Sequence, residues 1–176
     1  MKKTICLFAS IYLFVFLIVG VMSATSCSKL ETEFEASYDA DLEVYTARDI
    51  DGAFSAYATI NPDDNSDFRK NKDKIKNIDI ISVSGKVIET NKSFLLSAIL
   101  SVYSDKNSTG WTVSGLPVSV GTVLTLGNED GQWDIIKQIA NEKKTYHVSL
   151  IGNTSEDDIS LTVRVTIKYR VTAKAI

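Results

Sequence analysis

The sequence predicts an all-β domain, a two-layer antiparallel β-sandwich of seven to eight strands with one short connecting α-helix. Three features carry that prediction. Residues 31–45 and 159–175 alternate apolar and polar side chains almost without error, the period of a half-buried strand. Turn-forming clusters such as Asn61-Pro62-Asp63-Asp64, Thr90-Asn91-Lys92 and the run from Asp105 to Gly110 cut the chain between them into strand-length pieces. A single stretch, residues 130–144, changes to helical spacing.

The elements follow in order. In 31–45, Phe34, Ala36, Tyr38, Ala40, Leu42 and Val44 fall on one side, and Glu33, Glu35, Ser37, Asp39, Asp41 and Glu43 on the other. Residues 53–60 form a shorter, less apolar strand, and the charged run 63–74 reads as a solvated loop or short helical turn. Strands are expected at 75–89, 94–104 and 111–120. The first should carry a bulge or bend, because Ile80 and Ile81 slip the apolar phase and Gly85 lies inside it. Pro117 assigns the third to an edge or a break. A short strand at 122–126 precedes the helix, whose stripe is Trp133, Ile136 and Ala140 with Ile135 and Ile139 beside it. Asp130 is the expected N-cap, and Lys143 and Lys144 suit the negative end of the helix dipole. Strand spacing returns at Tyr146, Val148 and Leu150, and a turn is expected from Gly152. In the last strand Ile159, Leu161, Val163, Val165, Ile167, Tyr169, Val171, Ala173 and Ala175 face inward. Its basic outer side, Arg164, Lys168, Arg170 and Lys174, suits the acidic outer side of 31–45 as a neighbour.

The first 27 residues have a different character. Lys2 and Lys3 precede an almost uninterrupted apolar run from Ile5 to Met22, then Ser23-Ala24-Thr25-Ser26 and Cys27. The box Ala24-Thr25-Ser26-Cys27 resembles the processing site of bacterial lipoprotein precursors, with Ala24 where the common form has Leu, and Cys27-Ser28-Lys29 is similar to the Bacteroidetes type. The resemblance implies residues 1–26 as signal peptide and 27–31 as lipidated anchor and short tether, with lipidation at Cys27 and the outer membrane as its address, while the strand patterning makes 32–176 one sandwich domain. Two acyl chains suffice for stable attachment at roughly 0.8 kcal/mol per buried methylene. Glu31, Glu33 and Glu35 faintly resemble the acidic export tags of surface-displayed members, which adds surface exposure as an expectation. The run from Thr145 to Leu150 is similar to the tyrosine-bearing strand of immunoglobulin-like and fibronectin type III domains, so the sandwich is expected to be immunoglobulin-like.

Removing residues 1–26 leaves 150 residues, enough to bury roughly 68–70% of the unfolded chain's surface without staples. Cys6 leaves with the leader and Cys27 is acylated on this reading, so disulfides, thiolate-zinc sites and cysteine nucleophiles are not expected. The formal charge is −3, and −5 once Lys2 and Lys3 are removed, which speaks against nucleic acid as a partner.

Candidate chemistry is sparse. His147 is the one histidine and should lie on an outer strand face, a poor position for a general base. Asp63, Asn65 and Asp67 have the first spacings of a calcium loop, but Phe68 replaces its glycine and Lys74 its closing glutamate. A looser calcium site there or at Glu156-Asp157-Asp158 is the alternative to plain turn chemistry. Gly121, Gly127 and Gly131 are isolated turn glycines rather than a nucleotide loop. Tyr57, Tyr103 and Trp111 are either an exposed aromatic platform or, as the residue types favour, part of the core. No catalytic residue, cofactor or metal is expected.

The expected function is thus a non-enzymatic, lipid-anchored module of the cell envelope. It would meet the membrane through its anchor and bind another envelope protein, a glycan or a peptide, as a monomer rather than an obligate oligomer. The alternative is a structural subunit resembling pilus-like proteins that exchange strands; an enzyme using unrecognised carboxylates comes third.

Overall fold

The computed structural model describes residues 31–48 and 52–175. Eight strands run as β1 (Glu31–Tyr45), β2 (Ala53–Ile60), β3 (Ile75–Thr90), β4 (Phe94–Tyr103), β5 (Ser108–Val118), β6 (Val123–Thr125), β7 (Tyr146–Thr154) and β8 (Ser160–Lys174). Helix α1 (Ser66–Asn71), flanked by single 3-10 turns, lies between β2 and β3, and α2 (Gln132–Asn141) between β6 and β7. The charged run 63–74 is thus helical, a second helix beside the expected one.

The strands form two four-stranded sheets, ordered β1-β8-β3-β6 and β2-β7-β4-β5. In the second sheet and between β3 and its two neighbours every register is antiparallel. β1 and β8 also run in opposite directions, since Thr46 meets Ile159, Asp41 meets Arg164 and Asp39 meets Thr166. Six of the seven connections cross between sheets; only β4 and β5 form a hairpin within one.

The two-layer antiparallel sandwich is therefore present, but its strand order is that of a jelly roll, two interleaved Greek keys. This corrects the immunoglobulin-like expectation. Immunoglobulin domains pair their first two strands side by side in one sheet, whereas β1 and β2 here lie in different sheets. Nor is Tyr146 a tyrosine corner: its hydroxyl meets the Tyr169 hydroxyl on β8, not a backbone carbonyl a few residues upstream. Inward-facing alternation is common to all sandwiches, so it does not distinguish one strand order from another.

Residues 33–173 form one compact unit. Its core takes one face of each long strand: Ala36, Tyr38, Ala40, Leu42 and Val44 from β1, and Leu161, Val163, Val165, Ile167, Tyr169, Val171 and Ala173 from β8, are all buried. Burying each Val, Leu or Ile contributes about 1.5–3 kcal/mol relative to leaving it in water. The apolar slip at Ile80 and Ile81 is resolved by a register shift between Ile80 and Ser82. Gly85 makes no bulge; it pairs in register with Leu124 and Val165, and a Cβ there would sit 3.1 Å from the Leu124 Cβ, so glycine permits the close approach of β6. Pro117 lies on β5, an edge strand as expected.

The ends of α2 differ from expectation. Its N-cap is Gly131 at φ +76°, not Asp130, because glycine takes the left-handed turn there without steric cost. The Asn128 side chain accepts from the Trp133 amide at 2.7 Å, and the Gln132 side chain accepts from the Asp130 amide. At the other end Lys143 donates through Nζ to the carbonyls of Lys72 and Ile75, which ties the helix to the start of β3. Glu142 accepts from Ser104 and Asn107 in the β4–β5 turn, and the Ser104 hydroxyl above all holds its carboxyl below the usual range.

On the outer face of the first sheet Arg164 grips Asp41 through two bonds of 2.7 Å, and Thr166 donates to Asp39. The acidic and basic strands are neighbours, as their sequences suggest.

A tyrosine cluster joins the layers. The Tyr146 hydroxyl of β7 lies 2.6 Å from that of Tyr169 on β8, the Tyr38 ring stands 5.5 Å from Tyr169, and the Tyr38 hydroxyl donates to the Pro62 carbonyl. Removing one hydroxyl of the buried pair leaves the other without its partner, whereas removing both leaves no orphan. Tyr146→Phe and Tyr169→Phe should each cost about 1–3 kcal/mol and the double variant less than their sum, read from denaturant midpoints. Burial pushes the phenols of Tyr38, Tyr146 and Tyr169 well above the ordinary 10.0. With folded values raised, their contribution to stability is complete below the unfolded value near 10.0 and is lost as pH rises toward the folded ones. Tyrosine Cζ shifts followed by NMR should show these three ionising only together with alkaline unfolding; ionisation of any in the folded protein near its unfolded value would contradict the packing.

Candidate functional site

The registers of the second sheet place most of its outward side chains in four cross-strand rows. One row is Thr59, His147, Tyr103 and Ser108, and the next is Tyr57, Ser149, Ser101 and Gly110. The third is Ser55, Ile151, Ile99 and Thr112, and the fourth Ala53, Asn153 and Ser97. None of these fifteen residues is Asp, Glu, Lys or Arg. The outer face of the first sheet, by contrast, is lined with acids on β1 and bases on β8.

The face has relief. Rows lie about 7 Å apart along the strands, two residues of rise. In the second row Ser149, Ser101 and Gly110 are small, and Ser149 is only 3% exposed. A Cβ on Gly110 would sit 2.7 Å from the Leu100 carbonyl oxygen, so β5 lies tight against β4 there. The two flanking rows stand about 13 Å apart between their centres and close over this low row. Tyr57, 61% exposed, stands at its β2 end. One flanking row is organised: the Thr59 hydroxyl lies 3.1 Å from His147 Nδ1, and the Tyr103 ring packs tilted against the imidazole with centroids 5.4 Å apart. The other flanking row is apolar at its centre, with Ile99 and Ile151 53% and 46% exposed.

Of the three candidate aromatics, the structure puts Tyr57 and Tyr103 on this face and Trp111 in the core, where its Nε1 donates to the Gly127 carbonyl at 2.7 Å. The division follows the pleat, since Trp111 pairs with inward Leu100. His147 is on the outer face as expected.

The loop acids serve as fasteners. Asn65 caps α1 by accepting from the Asp67 and Phe68 amides, and Asp63 takes two bonds from Lys72 Nζ at 2.7 and 2.9 Å. Asp158 pairs with Arg48, Asp157 accepts from the Gly52 amide, and Glu156 pairs with Lys92. Among the described residues no three His, Cys, Asp or Glu side chains are gathered as metal ligands. Gly121 and Gly131 take positive φ in separate turns, and Gly127 offers its carbonyl to Trp111. A concavity of about 350 Å³ lies where β5 meets the loop before α2, lined by Trp111, Thr125, Glu129, Asp130 and Gln132 among others. Cys27 lies outside the described residues, and no described helix is long and apolar enough to cross a membrane.

Sequence reasoning did not single out the uncharged face. Its signal was nevertheless there: the polar members of the alternation are Ser, Thr and Tyr in β2 and β4 and His, Ser and Asn in β7, whereas those of β1 are mostly acidic and those of β8 include Arg164, Lys168, Arg170 and Lys174.

No family model matches the chain, and no curated protein matches it. A solved structure, the cryo-EM structure of Mud crab tombus-like virus, is similar over 83% of this chain and 81% of its own, at 7% identity and a TM-score of 0.38. The strand order above rests on the pairing itself.

The two aromatic environments separate experimentally. Trp111→Phe should cost about 1–3 kcal/mol, because the part-buried Gly127 carbonyl loses its donor and the smaller ring leaves space in the core. Tyr57→Ala should stay within about 0.5 kcal/mol of the parent, as exposed substitutions do, with both read from chemical denaturation.

Proposed function

We propose that the chain is a non-enzymatic binding module of the cell envelope, anchored through acylated Cys27 in the outer membrane, whose uncharged β2-β7-β4-β5 face receives a neutral partner, an envelope glycan or an uncharged stretch of another envelope protein. The observation that carries the reading is the difference between the two outer faces. Soluble surfaces intersperse charges of both signs, roughly a quarter to a third of their residues. Here fifteen outward positions on four strands hold none, while five large apolar or aromatic side chains, Tyr57, Tyr103, Leu95, Ile99 and Ile151, project from the same sheet. An exposed apolar patch rimmed by hydrogen-bonding side chains is the form binding surfaces take. Hydroxyls from Ser55, Thr59, Ser101, Ser108 and Thr112 supply directional contacts without the desolvation cost of an ion. The leader's resemblance to lipoprotein precursors supports the anchor.

Two measurements test the parts separately. Labelled palmitate should enter the wild-type chain and not Cys27→Ala; equal labelling of both would remove the anchor. On arrays of neutral glycans and uncharged peptides, the full chain in detergent should bind, and Tyr57→Ala with Ser101→Arg should weaken binding about tenfold or more, equivalent to about 1.4 kcal/mol. Lys168→Ala, on the opposite face, should bind as the parent does. Binding that survives the double change, or that needs charged ligands, overturns the assignment of the face.

A further inference from the structure

Two four-stranded sheets have four edge strands, each a row of backbone groups able to pair with another chain. Three are blunted. β1 carries Glu33, Glu35, Asp39, Asp41 and Glu43; β5 is broken by Pro117, by Gly115 at φ +59° and by a register shift opposite Leu96 and Ala98; β6 is three residues long. β2 has none of these protections. Ala53–Ile60 contains no charged residue and no proline, and it pairs with β7 in unbroken register over all eight positions, so it offers a straight, regular outer edge.

We propose that β2 pairs antiparallel with β2 of a second copy of this chain about a twofold axis at Tyr57, joining two β2-β7-β4-β5 sheets into one of eight strands. Among the four edges, charge and regularity single out β2 as the one that a second copy can match. A twofold pairing sets a strand against its own sequence, and like charges directly opposite are destabilising. β1 paired this way would oppose carboxylate to carboxylate; β2 opposes only neutral side chains.

The register is set by the pleat. With Tyr57 opposite its counterpart, Ser55 meets Thr59 on the outer face and Phe54 meets Ile60 on the inner face, so each strand keeps its core side toward the core. The two Tyr57 rings, each 61% exposed in the single copy, then become cross-strand neighbours, a favourable aromatic pair. Closure follows as well: a twofold contact uses both β2 edges, and the edges left over are the blunted ones, so assembly stops at two. The paired segment spans about 23 Å and is one strand deep, a contact smaller than a standard interface, so the dimer forms reversibly with concentration.

Sedimentation velocity of the full chain in detergent micelles, over a concentration series reaching near-millimolar, tests the pairing. Wild type should pass from monomer to dimer. Ser55→Lys with Thr59→Lys, both at exposed positions, should stay folded by circular dichroism and associate about tenfold or more weakly, since each lysine faces another across the axis. Ser55→Glu with Thr59→Glu should behave alike, and mixing the lysine and glutamate variants should restore a dimer. Ser114→Lys, on the blunted β5 edge, should dimerise as wild type does. A wild type that is monomeric throughout, a lysine variant that dimerises like the parent, or a mixture that fails to associate overturns the proposal. So does a wild type whose β2 edge is occupied by another protein.

Discussion

Every long strand of this domain gives one face to a shared apolar layer, and the chain's path makes that unavoidable. Six of the seven connections carry it from one sheet to the other, so a strand's neighbours in sequence lie mostly across the core rather than beside it. Neither sheet can form alone, because each is assembled from strands that the chain delivers alternately. The period of two follows from this: one side of each strand must be apolar to close the core, and the other is free to vary.

That freedom is used differently on the two sheets. On the first, acids of β1 and bases of β8 face each other, with Asp41 and Arg164 meeting in bidentate geometry and Arg164 holding the Asp41 carboxyl below its usual range. On the second, the outward positions hold hydroxyls, amides, rings and aliphatic groups. Exposed ion pairs contribute little to stability. Their concentration on one face leaves the outward positions of the opposite sheet uncharged.

The interior admits polar groups where the layers need pinning. Phenols from β1, β7 and β8 gather beside the β2–β3 connection, and among the described residues no buried side-chain donor or acceptor lacks a partner. Trp111 does the same near the start of β5, spending its one donor on the loop that leads into α2. Loop acids close turns through Lys72, Lys92 and Arg48, a structural use of carboxylates that spacing alone does not separate from metal binding.

The sequence by itself determined the existence and faces of the strands, the position of α2, the bulge at Ile81 and the edge placement of Pro117, because each depends on residues within a few positions of one another. Strand alternation is set by the pleat, helix spacing by the helical turn, and proline's missing donor by its own ring. Only the tertiary structure decided the jelly-roll order over the immunoglobulin one, the burial of Trp111 against the exposure of Tyr57, and the union of β2, β7, β4 and β5 in one uncharged face. Those outcomes depend on which distant segments share hydrogen bonds. Period-two patterning says which way a side chain points and nothing about which strand lies beside it, and a face that spans four strands exists only once that choice has been made.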